Sequence, residues 1–283
     1  MGRKSRDMSE NIKSSITLAL AIYGVIQIWL IALWNKYIRK GTINIYETGN
    51  IEIGYSNFGP TIGLNGTLRA LNKDVFVRAI NLLVVREKDK AQHIFQWMAF
   101  RPPKIDLAGS QPISMEIPSG FMISSNSPHR FNIFFNDNGC FGDIRYLFGV
   151  YISEWYKVVE QLTKIGLPPQ LGITSPEIIV QRSGLIQNFE KSSIYSEMYA
   201  ALNGRCYWES GDYRLTINVV TSKPDKVISN NYHFSITEDD SRNLKLNVVT
   251  MLRDPIANYL GDQNFPYHFA YAAYKQLYER KLN

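Results

Sequence analysis

The first 40 residues of the chain hold a nearly uninterrupted apolar run. Residues 16–34 carry no formal charge, and Trp29 and Trp34 lie near the C-terminal end, where indole rings favour the lipid headgroups. A helix of about 20 apolar residues, rising about 1.5 Å per residue, spans the roughly 30 Å hydrocarbon core of a bilayer. We therefore predict one transmembrane helix, a signal-anchor over residues 14–37, preceded by a basic tail at residues 1–13.

Two other interpretations fit this run less well. A cleaved signal peptide has a shorter apolar region followed by small residues, whereas this run ends in Leu33-Trp34-Asn35-Lys36. A buried core helix is usually shorter and shows a polar face. Four basic residues precede the run and three follow it, so the positive-inside rule places the C-terminal domain outside the cytoplasm by a margin of one charge.

The run also carries a pattern for helix packing. Thr17, Ala21 and Gly24 lie on one helical face, which Gln27 continues. Small residues let a second helix approach closely, and a glutamine side chain can hydrogen-bond across such an interface. We therefore predict two kinds of partner, the lipid bilayer and other protein subunits, with a second copy of this chain among the latter.

Beyond residue 40, hydrophobic and polar residues alternate with the two-residue period of a half-buried strand. The strongest signal is Val75–Val85, followed by a charged turn at residues 86–90 and then by renewed alternation, which predicts a hairpin. Asn65-Gly66 predicts a tight turn or a kink in a strand. Many short antiparallel strands favour a mainly β, sandwich-like domain over residues 42–283. Shorter alternating segments contribute to it, around Ile53, Ile133, Leu215 and Phe234.

One amphipathic helix divides the strands into two groups. Apolar residues recur at spacings of three and four within residues 143–165, and Gly166 ends the run. The strands on either side, at residues 42–137 and 170–283, form either one domain or two subdomains bridged by this inserted helix. Residues 168–204 show no pattern that assigns a helix or a strand.

The C-terminal part of the chain predicts two further helices. Thr237 is suited to cap a helix with an acidic first turn. Four tyrosines recur at helical spacing after Pro266: Tyr267, Tyr271, Tyr274 and Tyr278. They predict a C-terminal helix with an aromatic face, which either docks a partner, lies at a membrane surface or packs on the sheet of the same chain.

The net charge of +6 does not indicate a nucleic-acid-binding surface. Residues 1–40 contain seven basic and two acidic residues, which leaves 24 basic and 23 acidic residues in the rest of the chain. A domain that neutralises phosphates concentrates its positive charge on one face. We therefore expect no nucleic acid as a partner.

The chain lacks the common motifs of catalytic, metal and cofactor sites. It contains no G-x-x-x-x-G-K-S/T, no G-x-G-x-x-G, no G-x-S-x-G and no H-E-x-x-H. His129 and Cys140 form a weak candidate for a base and a nucleophile, without a third residue to orient them. Cys140 and Cys206 either form a disulfide or are two inert thiols. We therefore predict no catalytic residue, no metal, no cofactor and no enzymatic activity.

Together these patterns predict a single-pass, membrane-anchored binding or structural module that acts in an oligomer or larger membrane complex. The alternative is a sensor-effector that faces the cytoplasm, in which binding of a ligand or partner drives association of the anchors and perturbs the membrane. An enzyme with a nonstandard site is a third and weaker hypothesis.

Overall fold

The computed structural model describes residues 2–34, 40–101, 116–166, 175–261 and 266–277. The strands are β1 Thr42–Ser56, β2 Gly59–Leu71, β3 Val75–Arg86, β4 Gln92–Phe100, β5 Phe121–Ile123, β6 His129–Asn136, β7 Gly211–Lys223, β8 Asp225–Ile236 and β9 Phe269–Gln276. The helices are α1 Gly2–Leu33, α2 Asn138–Ile165, α3 Pro176–Glu190, α4 Ser193–Arg205 and α5 Glu238–Leu260.

The strands join in one antiparallel sheet that closes on itself. The strand order is β4-β6-β2-β1-β9-β8-β7-β3-β5, and β4 also pairs with β3. Eight strands thereby form a closed barrel. The short β5 pairs with residues 75–77 of β3, whereas β4 pairs with residues 81–85 of the same strand.

The prediction of a sandwich-like domain is therefore wrong. Alternation of hydrophobic and polar residues shows only that one face of each strand is buried, and both a sandwich and a barrel bury one face. The pairing of β4 with both β3 and β6 decides between them, because it joins the two ends of the sheet. Strands from before and after α2 belong to this one sheet.

The inward-facing residues of the strands fill the barrel. On β1, Ile51 lies opposite Leu64 of β2 and Ala272 of β9, and Ile53 repeats the pattern two residues further on. The same alternation on β3 buries Ile80, Leu82 and Val84. Burial of such aliphatic side chains contributes about 1.5–3 kcal/mol each, which makes the interior of the barrel the main source of stability.

Helices α2, α4 and α5 pack against one end of the barrel. The hydroxyl of Tyr55, at the end of β1, donates a 2.6 Å hydrogen bond to the carbonyl of Leu202 in α4. Trp208, just after α4, is fully buried, and its Nε1 donates a 2.9 Å bond to the carbonyl of Gly54. The helices thus cover the end of the barrel where β1 finishes and β2 begins.

Capping residues fix the starts of helices α2 and α5. Asp137 accepts hydrogen bonds from the backbone N–H groups of Gly139 and Cys140 at the start of α2. Thr237 accepts a 3.1 Å bond from the N–H of Asp240, so the predicted helix at Thr237 is confirmed. An oxygen acceptor at this position satisfies a donor that the helix leaves unpaired.

The predicted C-terminal helix is wrong, because the segment forms strand β9. Residues 50–54 of β1 pair with β9 on one side, and β8 pairs with it on the other. The burial of side chains along β9 alternates as in a strand, since Ala270 and Tyr274 face the core while Tyr271 is 70% exposed. The gain from pairing with two neighbouring strands outweighs the weak local helix preference. Tyr278 lies outside the described residues.

Helix α1 corrects the prediction of a transmembrane anchor. Within the described residues, no helix combines the length and the hydrophobicity that a membrane span requires. The prediction of a transmembrane anchor at residues 14–37 is therefore wrong. Residues 35–37 lie outside the described part of the chain.

Candidate functional site

A cavity of about 690 Å³ lies in the half of the barrel away from the helices. Its walls come from the first half of β1, the middle of β2, the end of β4, the start of β6 and the segment before β5. The lining residues are Tyr46, Glu47, Asn65, Gly66, Thr67, Phe100, Arg101, Glu116, Ser119, Phe121, His129, Arg130, Phe131 and Asn132.

Aromatic rings form the apolar wall of this cavity. Phe131 is 8% exposed and belongs to the core of the barrel, and Phe100 and Phe121 pack against that core. The rings of Phe100 and Phe121 meet edge to face with centroids 5.6 Å apart, and Trp97 completes the cluster at 4.8 Å from Phe100. Such edge-to-face contacts fix the ring orientations. The cavity therefore has a rigid aromatic surface.

His129 extends this aromatic wall. Its imidazole stacks on the ring of Phe121 with centroids 4.5 Å apart. Burial lowers the pKa of His129, because the charged imidazolium loses its hydration there. At neutral pH the ring is therefore uncharged and acts as a flat surface with one donor and one acceptor nitrogen.

Arg101 supplies a fixed cation at the edge of the cavity. One of its terminal nitrogens, Nη1, donates a 2.8 Å hydrogen bond to Oε1 of Glu52, and both side chains are half-buried. The guanidinium carbon also lies 4.5 Å from the ring centroid of Phe134. An ion pair and a cation–π contact together hold the side chain in place. Arg101 therefore forms its ion pair with Glu52.

Gly66 allows the strands to approach closely at the cavity wall. It lies opposite Glu47 on one neighbouring strand and Phe131 on the other. A methyl group on Gly66 would stand 2.6 Å from Cζ of Phe131 and 2.7 Å from the carbonyl oxygen of Tyr46. Next to it, the register of β1 shifts between Glu47 and Ile51, which is a bulge that reorients the strand.

A second cluster of polar side chains lies at the other end of β6. His93 stacks on Tyr207 with ring centroids 3.5 Å apart, and the hydroxyl of Tyr207 donates a 3.0 Å bond to Oδ2 of Asp137. Burial raises the pKa of Asp137, but hydrogen bonds from His93, from the N–H of Cys140 and from Tyr207 outweigh it, so the net pKa is lowered. Asp137 is therefore a charged helix cap held by its neighbours, which is a structural role.

The two cysteines do not form a reactive site. Both are free cysteines, so the structure holds no Cys140–Cys206 disulfide. Burial raises the pKa of each thiol to about 12, and the charge of Asp137 adds to this effect at Cys140. Both are protonated at neutral pH, and a thiol is a much weaker nucleophile than a thiolate. His129 is separated from Cys140 by the length of β6, about 26 Å for eight residues.

The residues predicted to pack the anchor lie on α1, and the predicted docking face lies around β9. The described side chains from Thr17 to Trp34 are exposed except at the half-buried Gly24, and they include Ala21, Gln27 and Trp29. Nε2 of Gln27 donates a 3.2 Å bond to the hydroxyl of Tyr23 within the helix. Of the tyrosines, Tyr267 donates to Asp254, Tyr274 is buried and Tyr271 is exposed, so they share no common face.

The sequence patterns did not identify the cavity. Asn65-Gly66 suggested a turn, but both residues lie within the continuous strand β2. Phe100, Phe121 and Phe131 lie in separate segments, and only the barrel closure brings them together. The alternation of Phe131 with polar neighbours signals burial, yet this signal is shared by many core residues.

In the described ranges, no group of three or more His, Cys, Asp or Glu side chains is arranged to hold a metal ion. Comparison with known proteins finds no matching family model, no matching curated protein and no matching solved structure. The geometry of the cavity is therefore the basis for assigning a function to this chain.

Proposed function

We propose that this chain is a binding module whose barrel holds a small amphipathic molecule. The observation that carries the proposal is the aromatic cavity of about 690 Å³ in the half of the barrel that the helices do not cover. Sites for small molecules commonly measure about 300–1,000 Å³ and combine an apolar lining with a few polar groups. The cavity has both features.

The lining divides into two parts that suit the two ends of such a ligand. Phe100, Phe121 and Phe131 offer an apolar surface for rings or an aliphatic body. The side-chain amides of Asn65 and Asn132 offer donors and acceptors for a polar end. Because eight strands enclose the interior of a barrel, small changes in lining residues retune such a site without altering the fold.

Binding of Nile red, a neutral and fluorescent ring compound, tests this proposal. Thr67→Trp places an indole at the cavity wall, where Thr67 is half-buried. We expect the Kd for Nile red to rise at least tenfold, which corresponds to a loss of about 1.4 kcal/mol in binding free energy. Thr216→Trp is the matched control, because Thr216 is also half-buried on a barrel strand but does not line this cavity. Equal titration curves for the two variants would overturn the proposal.

A second function is favoured by the exposed surface of α1. Twelve large hydrophobic side chains between Leu18 and Trp34 are exposed. Contiguous apolar surface of this kind marks an interaction site. We therefore propose that α1 joins the chain to a second copy of itself, in keeping with the predicted oligomer. The predicted location and the other predicted partners stay predictions.

The oligomeric state of the full chain tests this second function. Nothing stands within 4 Å of where a methyl group on Gly24 would lie, so a partner helix has room to approach there. We expect Gly24→Ile with Gln27→Leu to reduce the crosslinked oligomer, since the isoleucine blocks close approach and the leucine removes the amide. Leu18→Ile, an exchange of similar volume on the same helix, is the control. An unchanged distribution of crosslinked species in the double variant would contradict self-association through this face.

A further inference from the structure

Glu47 lies where two cavities meet. A second cavity of about 480 Å³ is lined by Ile43, Asn44, Ile45, Tyr46, Glu47, Asn230 and Gln276. It shares Tyr46 and Glu47 with the larger aromatic cavity. A carboxylate at this junction can meet a ligand that occupies either space, or one that reaches from the first into the second.

Two neighbouring side chains orient this carboxylate. Nδ2 of Asn230 donates a 3.1 Å hydrogen bond to the hydroxyl of Tyr232, and that hydroxyl lies 3.3 Å from Oε2 of Glu47, to which it donates. Tyr232 is fully buried, and its ring meets that of Tyr274 edge to face at 5.1 Å. Burial raises the pKa of Tyr274, and the negative charge of Glu47 raises it further. Glu47 is thus a fixed anion beside two tyrosine rings.

The charges near Glu47 leave its carboxylate without a matching cation in the described part of the chain. Of the basic residues that line the aromatic cavity, Arg101 is paired with Glu52, burial lowers the pKa of His129, and the exposed Arg130 forms no ion pair with Glu47. No described lysine, arginine or histidine forms an ion pair with Glu47. A carboxylate that is held in a half-buried site and has no paired cation is available to a cationic group of a ligand.

We infer that the ligand carries a cationic group, a protonated amine, and that the carboxylate of Glu47 binds it at the junction of the two cavities. The apolar body of the ligand then lies against Phe100, Phe121 and Phe131, and the ring of Tyr46 borders both spaces. Aromatic faces attract cations, which adds to the attraction of the carboxylate. This inference rests on the proposed binding function and names the ligand class for the same site.

Three probes that share one ring system test the charge preference. We would measure by calorimetry the binding of 1-naphthylmethylamine, 1-naphthylmethanol and 1-naphthoate to the full chain at pH 7. Because the naphthalene ring is the same and the polar group changes from cationic to neutral to anionic, we expect the amine to bind at least about tenfold more tightly than the alcohol, and the carboxylate to bind most weakly.

Substitutions then test whether Glu47 is the residue that causes the preference for the amine. Glu47→Gln keeps an acceptor for Tyr232 and removes the charge. We therefore expect the affinity for the amine to fall to that for the alcohol, while the affinity for the alcohol stays unchanged. Glu116→Gln, which removes an exposed carboxylate from the rim of the same cavity, is the matched control and keeps the preference. If Glu47→Gln unfolds, Glu47→Asp is the alternative variant, because it retains the charge and should retain part of the preference for the amine.

The outcomes separate the two proposals. Equal binding of all three probes, or an amine preference that survives Glu47→Gln, overturns the cationic ligand while the binding function stands. If no probe binds and none displaces Nile red, both the binding function and the cationic ligand are overturned. Loss of the amine preference in Glu47→Gln alone supports the inference.

Discussion

The side chain of Asn247 forms a reciprocal pair of hydrogen bonds with the backbone of His268. Its Nδ2 donates to the carbonyl oxygen of His268 at 2.8 Å, and its Oδ1 accepts from the N–H of the same residue at 2.8 Å. Nδ2 also donates a 2.9 Å bond to the carbonyl of Tyr55. One fully buried side chain therefore joins helix α5 to the end of β1 and the segment before β9.

We expect Asn247→Ala to destabilise the protein by about 2–4 kcal/mol, since it leaves buried backbone groups without partners. Chemical denaturation followed by circular dichroism measures the change. Asn243→Ala, an exposed position on the same helix, should change stability by less than about 0.5 kcal/mol. A loss at Asn247 no larger than at Asn243 would show that the link contributes little.

The indole of Trp208 provides a second test of the closed end of the barrel. Trp208→Phe keeps an aromatic ring but removes the donor to the carbonyl of Gly54, which is 2.9 Å away. We expect a loss of about 1–3 kcal/mol in the free energy of unfolding. Trp29→Phe is the matched control, because Trp29 is 67% exposed. Similar unfolding midpoints for both variants would contradict this account.

Glycine is required at one position of the cavity wall. Gly66→Ala would bring a methyl group to 2.6 Å from Phe131, so the strands must move apart, and we expect about 1–3 kcal/mol of destabilisation. Gly184→Ala in α3 has nothing within 4 Å and should stabilise the helix by up to about 1 kcal/mol. Thermal unfolding of both variants checks the opposite signs, and a neutral Gly66→Ala would argue against close packing there.

The histidine in the cavity wall predicts a dependence of stability on pH. Burial lowers the pKa of His129 in the folded protein, whereas an unfolded histidine has a pKa of about 6.5. Below that pH the unfolded chain binds a proton that the folded chain resists, so stability falls as the pH falls towards the folded pKa and is fully present above about pH 7.5.

Comparison with a variant that cannot titrate isolates this effect. His129→Phe keeps a ring against Phe121 and removes the ionisable group. Between about pH 7.5 and 5 its free energy of unfolding should fall less steeply than that of the unsubstituted chain. Parallel curves would show that the environment of His129 does not favour the neutral form.

Local patterns predicted those elements whose residues carry their own signals. The strand at Val75–Val85 and the charged hairpin after it are found in β3 and β4, because alternation and a polar turn are local properties. The start of α5 at Thr237 follows from a side chain that caps its own helix. Helices α3 and α4 were not predicted, because their apolar faces are weakly periodic, although Ser175, Pro176 and Ser192 are suited to helix starts.

Long-range pairing decided the rest. The tyrosines after Pro266 are spaced for a helix, yet β1 and β8 each offer a row of backbone donors and acceptors that only a strand can satisfy. Predicting the cavity would have required the same strand pairing, because Glu47 and Tyr232 come within 3.3 Å only when β9 joins β1 to β8. No spacing along the chain encodes that contact.

The ring of eight strands also limits how this protein can associate. A strand with a free side is where a second polypeptide adds its own strand, as in domain swapping or fibril growth. Each strand of the ring has a neighbour on both sides, but residues 42–47 of β1 pair only with β2 and residues 225–230 of β8 pair only with β7. The short strand β5 also pairs on a single side, with β3. A second polypeptide would therefore pair first with these one-sided segments, because elsewhere in the ring a ladder must separate before backbone groups become free, most simply the three-pair β8–β9 ladder.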